Sequence, residues 1–285
     1  MTPAHPALQT LPVQCSDGHQ FQLQLVRATP SRTALLFLPA LGVAARHYLP
    51  LAHALARHGI SVCIHEWRGH GSSTWRADRQ HNWGFAQLLQ IDLPASLKAM
   101  QAAGLATDTL GGHSLGGQLS CCLAGTLPSV RQLLLIGTGS PWWKAFPSPL
   151  RWRLPLAYAA LPTISRLVGH LPGKQLGFGG REASQLIADW ALVGRSGHYC
   201  IPDGVEDAMR NWQGHCVALT LRNDWMAPAS SMQALTGKLP GATLVQVQID
   251  PTPGDPRTDH FSWMKQPQAV VEAVVKNAKN FSQNR

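Results

Sequence analysis

One stretch limits what this chain can become more than any other: Thr107–Ser120, TDTLGGHSLGGQLS. A short apolar run ends in Gly111-Gly112. The pentapeptide Gly112-His113-Ser114-Leu115-Gly116, a G-x-S-x-G pattern, follows and leads into a small-residue helical segment. A serine between such glycines can sit on a strand-to-helix turn too tight for side chains at either flank. Its hydroxyl then stands at the end of a sheet, and the helix N-terminus behind it favours developing negative charge. The pentapeptide also arises by chance in turns. The strand before it and the helix after it make Ser114 a candidate nucleophile.

Around that turn the chain alternates strands and helices. Phe21–Val26 alternates like a half-buried strand, while residues 1 to 10 are Pro-rich and read as loose. Thr33–Pro39, Ile60–Trp67, Thr107–His113 and Val130–Ile136 are continuous apolar runs suited to strands buried on both faces. Helical spacing fills residues 46 to 58, 84 to 103 (bent or split near Pro94) and 115 to 125. From Pro141 to about Gln213 the pattern is rich in Trp, Pro and Arg, with no buried strand expected. Alternation then resumes with Cys216–Leu221, a helix around Ser230–Lys238, Thr243–Ile249 and a final helix behind Pro267. This order predicts an α/β fold, a mostly parallel sheet wrapped by helices, with a mainly helical insertion.

Composition narrows the function classes. The balance is basic, 24 Lys plus Arg against 15 Asp plus Glu. These charges are scattered singly, without the arm or stripe that would suggest nucleic-acid binding. The six cysteines show no C-x-x-C pair or Cys/His ligand spacing, so no metal is expected, and free thiols fit a reducing compartment. The N-terminus lacks a basic start with an apolar core, and no apolar run reaches the ~18 residues of a membrane span. The expectation is a cytoplasmic protein with no membrane span. Its oligomeric state is left open.

A serine hydroxyl attacks only when a base takes its proton, and a histidine needs a carboxylate to fix its tautomer. In an elbow fold these follow the serine in the order acid, then histidine, each on a loop after a strand. Asp224, at the end of Ala218–Leu221, answers for the acid; the competing reading is a helix N-cap aspartate. Asp250 and Asp255 lie on the stretch before the histidine, and Asp259 adjoins it. His260, before the last helix, answers for the base, whereas His70 and His113 read as structural. Oxyanion donors are expected from the backbone N–H of Leu115 and from that of Leu41, on the loop after Thr33–Pro39.

With these residues in view, the chain resembles the α/β-hydrolase superfamily, in the branch of esterases, monoglyceride-lipase-like enzymes and serine aminopeptidase-like proteins. Gly112-His113-Ser114-Leu115-Gly116-Gly117 is similar to that family's GHSxGG elbow. Glu66-Trp67-Arg68-Gly69-His70-Gly71-Ser72 resembles its D-x-R-G-x-G-x-S segment, with Glu66 in place of Asp. Pro39-Ala40-Leu41-Gly42 stands where many members have His-Gly-x-Gly. The resemblance implies Asp224 and His260 as acid and base. It also implies residues 141–213 as a cap or lid inserted between core segments 1–140 and 214–285. The chemistry implied is ester hydrolysis through an acyl-enzyme, without cofactor. A thioesterase, an amidase or a non-catalytic binding protein of the same fold are the alternatives.

Trp142 and Trp143 in the insertion, with Trp225 and Trp263 on the candidate loops, suggest a small-molecule substrate carrying an apolar acyl or aryl group. The competing reading is that they pack the insertion against the core. Between Pro141 and Arg181 every charged residue is basic. A solvated basic face is one reading of this. Attraction for anionic substrates or an anionic membrane surface is the other.

Overall fold

A computed structural model describes residues 7–251 and 258–278. Its ten strands are β1 (Leu8–Gln14), β2 (Gln20–Val26), β3 (Thr33–Leu38), β4 (Ile60–Ile64), β5 (Thr109–His113), β6 (Gln132–Ile136), β7 (His170–Pro172), β8 (Arg181–Ala183), β9 (His215–Leu221) and β10 (Thr243–Ile249). Eight form one sheet in the order β1-β2-β4-β3-β5-β6-β9-β10. β1 pairs antiparallel with β2 and β2 antiparallel with β4, while β4, β3, β5, β6, β9 and β10 run parallel to one another.

Alternation within the apolar runs builds two cores, one on each sheet face. Leu36, Leu38, Leu133 and Leu135 belong to the first, and Leu35, Phe37, Leu134 and Ile136 to the second. Such doubly buried strands need helices on both sides. These are α1 (Leu49–Ala56), α2 (Phe85–Gln87), α3 (Leu93–Ala102), α4 (Leu115–Thr126), α5 (Leu150–Val168), α6 (Gly173–Leu176), α7 (Ser184–Ser196), α8 (Val205–Asn211), α9 (Ala229–Thr236) and α10 (Gln268–Ala278).

Two expectations change. Residues 8–14 are not loose: LQTLPVQ pairs along its whole length with β2, Leu8 opposite Val26. Pro12 is tolerated because β1 is an edge strand. The insertion does contain strands, β7 and β8, paired with each other and carrying the buried Leu171 and Ala183. Three residues are too few to show a period in sequence. The expected bend near Pro94 takes the form of a π-turn over Leu88–Asp92. Proline lacks the N–H that an unbroken α-helical ladder would need there.

Between β6 and β9 the chain adds no strand to the main sheet. α5 packs on α7, with the Tyr158 ring against Gly194 and Arg195 donating to the Tyr158 carbonyl at 2.7 Å. α8 instead lies on α4, where a Cβ on Gly125 would meet the Met209 amide at 2.5 Å.

Candidate active site

β5 delivers Ser114 to a turn that glycine alone makes possible. Ser114 has φ 54°, the sole positive φ of a non-glycine among the described residues. A residue held so costs on the order of 1–3 kcal/mol and persists only where its surroundings enforce the conformation. They do. A Cβ on Gly112 would lie 2.3 Å from the Gly116 carbonyl carbon, and one on Gly116 would lie 2.0 Å from the Leu38 carbonyl oxygen. The Ser114 carbonyl accepts from the Gly117 and Gln118 amides and from the Thr138 hydroxyl.

Asp224 and His260 meet across two loops. The Asn223 amide donates to the Thr258 carbonyl at 3.2 Å, tying the loop after β9 to the one before α10. One Asp224 oxygen, Oδ1, accepts the Met226 and Ala227 amides, both at 2.9 Å. The other, Oδ2, faces His260 Nδ1 at 2.7 Å. Both side chains are buried. A carboxylate only accepts, so His260 Nδ1 is the donor in this bond, which leaves Nε2 as the ring nitrogen not engaged by Asp224. Asp224 also makes the bonds expected of the N-cap reading, since Oδ1 serves the amides while Oδ2 serves the ring. Asp250 pairs with Arg222 at the surface, and Asp259 Oδ1 accepts the Phe261 and Ser262 amides. Asp255 lies outside the described residues.

Behind this pair stands a residue with no signal in the sequence. Tyr48, fully buried at the turn before α1, accepts the Ala40 amide at 2.9 Å and donates to His113 Nδ1 at 2.8 Å. One hydroxyl therefore ties the loop after β3 to the elbow. Burial holds the His113 imidazole well below the ordinary histidine range, and neighbouring His260 adds to this. A neutral ring thus lies 4.5 Å from the His260 ring and places no positive charge beside it.

The loop after β3 is clamped from several sides. Trp67 donates to the Pro39 carbonyl at 2.9 Å, and Glu66 Oε1 accepts the Ala45 amide at 3.0 Å. Gly42 has φ +78°, and a Cβ there would strike the Gly180 amide nitrogen at 2.5 Å. The loop therefore touches the inserted segment directly. His70 joins the same contact through Glu182 Oε2 at 3.2 Å, while Glu182 Oε1 accepts the Gly180 amide. Burial pulls the His70 imidazole down. The charge and hydrogen bond of Glu182, with Glu66 beyond, outweigh it, and the net shift is upward.

Ser114 and His260 both line a cavity of about 350 Å³, together with Leu41 and Leu115. Its far wall is mostly apolar and comes from α5 through Leu150, Leu154, Ala157 and Leu161. Of the four candidate tryptophans, Trp225 lines this cavity. Trp263 does not: it is buried under the pair, its indole N–H donating to the His260 carbonyl at 3.1 Å. Trp142 lies against Gly197, and the Trp143 ring lies tilted against that of Trp152 with centroids 5.9 Å apart. Trp190, a further tryptophan of the insertion on α7, also lines the cavity.

Among the described residues, one group has metal-ligand character: Cys15, His19 and Asp92, with ligand atoms within 4.8 Å of one another. Both Asp92 oxygens already accept Arg68 at 2.6 Å, and burial pushes the Cys15 thiol up to about 12. The donors are committed to a network that pins the Arg68 loop to the π-turn.

No curated protein matches the sequence. The chain is similar in fold to the esterase domain of a Rhodothermus marinus protein, at 19% identity and TM-score 0.63, covering 96% of this chain and 98% of that one. A hydrolase from Pseudomonas aeruginosa aligns at 18% identity and TM-score 0.64, over 94% and 97% of the two chains. An esterase from Exiguobacterium antarcticum aligns at 14% identity and TM-score 0.62, over 95% and 100%. Residues 29–185, more than half of the chain, match the family described as serine aminopeptidase, S33. With the elbow, the parallel sheet and this match together, the chain belongs to the S33 serine aminopeptidase family of α/β hydrolases.

Proposed function

We propose that the protein is a serine hydrolase that cleaves a carboxylic ester through an acyl-enzyme. The observation that carries this reading is the 2.7 Å pairing of Asp224 with His260 at a cavity that Ser114 also lines. In the proposed cycle, His260 Nε2 takes the Ser114 proton as Oγ attacks the acyl carbon. The oxyanion is met by the N–H groups of Leu115 and Leu41, each such donor worth about 3–4 kcal/mol in other serine hydrolases. As the C–O bond breaks, His260 returns the proton to the departing alkoxide. Water, deprotonated by the same ring, then releases the acid.

The apolar wall suits an acyl or aryl group, and Trp225 is the aromatic contact retained from the four. Residues 141–213 serve in this reading as a cap, α5 and α7 roofing the cavity while α8 rests on α4. A thioester or amide would use the same groups. The unpaired cysteines are consistent with the cytoplasm.

A fluorophosphonate probe with a p-nitrophenyl ester series tests the proposal. Labelling at Ser114, and loss of both labelling and turnover in Ser114→Ala, is the expected result. In a serine protease the equivalent loss is on the order of 10⁶ in kcat. Turnover near the wild-type rate in Ser114→Ala would overturn the mechanism. Absence of both labelling and turnover in the wild type would favour a binding protein instead.

A further inference from the structure

α5 has two apolar faces, and the cavity uses one. At about 3.6 residues per turn, Leu150, Leu154, Ala157 and Leu161 project to one side and line the cavity. Trp152, Leu156, Ala159, Ala160, Thr163 and Leu167 project from the opposite side, and all are exposed. Trp152 is 64% exposed, Leu156 73% and Leu167 70%. A helix on a protein surface normally turns polar residues outward. Here the outward stripe is apolar along the helix apart from Thr163, whose hydroxyl is turned back to the Ala159 carbonyl at 2.9 Å.

Charge borders that stripe. Arg153 falls at one edge and Arg166 at the other, both exposed. At the N-terminal end of α5, Arg151 lies over the Trp143 and Trp152 rings at 5.9 and 5.3 Å, and Lys144 over Trp143 at 5.5 Å. No acidic residue occurs from Pro141 through Arg181. A soluble protein partner could cover an apolar stripe. Flanking arginines, a tryptophan–cation cluster at one end and the absence of any acid match a surface that is apolar within and anionic at its face.

We infer that the outer face of α5 docks on an anionic lipid bilayer, lying in the interface without crossing it. Trp152, Leu156 and Leu167 enter the acyl boundary, and Arg153 and Arg166 meet lipid phosphates. No helix among the described residues is long and apolar enough to span a membrane, so the contact is peripheral. Because the inner face of the same helix walls the cavity, docking sets the site beside the bilayer. The substrate class that follows, resting on the reading above, is an amphiphilic ester that partitions into membranes.

Flotation of the protein with phosphatidylcholine vesicles, with and without phosphatidylglycerol, tests the docking. It is run on the wild type and on Ser114→Ala, so that it does not depend on turnover. The expected result is binding to the anionic vesicles that weakens as salt rises. Leu156→Glu with Leu167→Glu should reduce the bound fraction about tenfold or more. Arg153→Glu with Arg166→Glu should abolish the preference for phosphatidylglycerol. Neither pair lines the cavity, so kcat/KM for a short soluble ester should stay at the wild-type value, which also shows that the variants fold. Equal binding of the Leu156→Glu/Leu167→Glu variant, no binding by the wild type, or a dimer that these substitutions disperse would each overturn the docking. Vesicle binding without hydrolysis of any ester would instead leave docking standing and remove the proposed activity.

Discussion

At Asp224, one carboxylate does two jobs that a single substitution can separate. In Asp224→Asn the carbonyl oxygen stays with the Met226 and Ala227 amides, which only donate. The new NH₂ then faces His260 Nδ1. That nitrogen becomes an acceptor, the ring proton moves to Nε2, and the base of the proposed mechanism is lost. We expect kcat to fall by roughly 10⁴, as in a serine protease with the same change, with the fold and melting temperature nearly unaltered. Steady-state kinetics and a thermal melt read the two effects. Gly71 is a second residue whose role is local. It has φ +42°, and a Cβ would sit 1.8 Å from Glu66 Oε2. Gly71→Ala should destabilise by about 2–4 kcal/mol in denaturant titration. Adding Glu66→Asp, which withdraws the carboxylate, should recover part of that loss. Sequence marked Glu66 as the departure from a familiar segment whose second glycine Gly71 keeps. That the longer acid reaches across to the Ala45 amide and leaves no room at Gly71 needed coordinates, because the loops are remote in the chain.

Elements meet at the Gly42–Gly180 contact, where the loop after β3, the loop after β4 and the inserted segment converge. The His70–Glu182 bond holds that junction, and its strength depends on pH. The folded-state pKa of His70 is raised. Its stabilisation is therefore fully present below the unfolded value of about 6.5 and is lost as pH rises through the folded one. His70→Gln keeps a donor to Glu182 but cannot titrate. The stability gap between wild type and His70→Gln should be about 1 kcal/mol in mildly acid buffer and shrink as pH rises, read as Tm against pH. A gap that widens with pH would contradict this. The helices and strands that bring these loops together were legible from periodicity alone. β1 was not, because Pro12 and a Pro-rich leader masked an alternating edge strand, and β7 and β8 were too short to register.

Over the whole molecule, the sheet supplies the chemistry's candidates and the insertion supplies the cavity's shape. Leu161 sits in the α5 wall with Ser114 and His260 on the same cavity. Leu161→Trp should shorten the space for an acyl chain. Across the p-nitrophenyl series, kcat/KM should drop about tenfold or more for long chains and little for acetate. A uniform loss at every length would mean that Leu161 serves packing and does not measure the substrate.

Sequence by itself determined the alternation of strands and helices, the tight turn at Ser114 and the chain order that singled out Asp224 and His260. Each of these is written in local spacing or in the chemistry of one residue beside its neighbours. Tertiary structure decided what lies between distant segments: Tyr48 bridging Ala40 and His113, Trp263 under the histidine instead of in the cavity, Trp190 in the wall, and α5 apolar on both sides. A side chain's neighbours across a fold depend on how whole helices pack, and no window along the polymer contains that information.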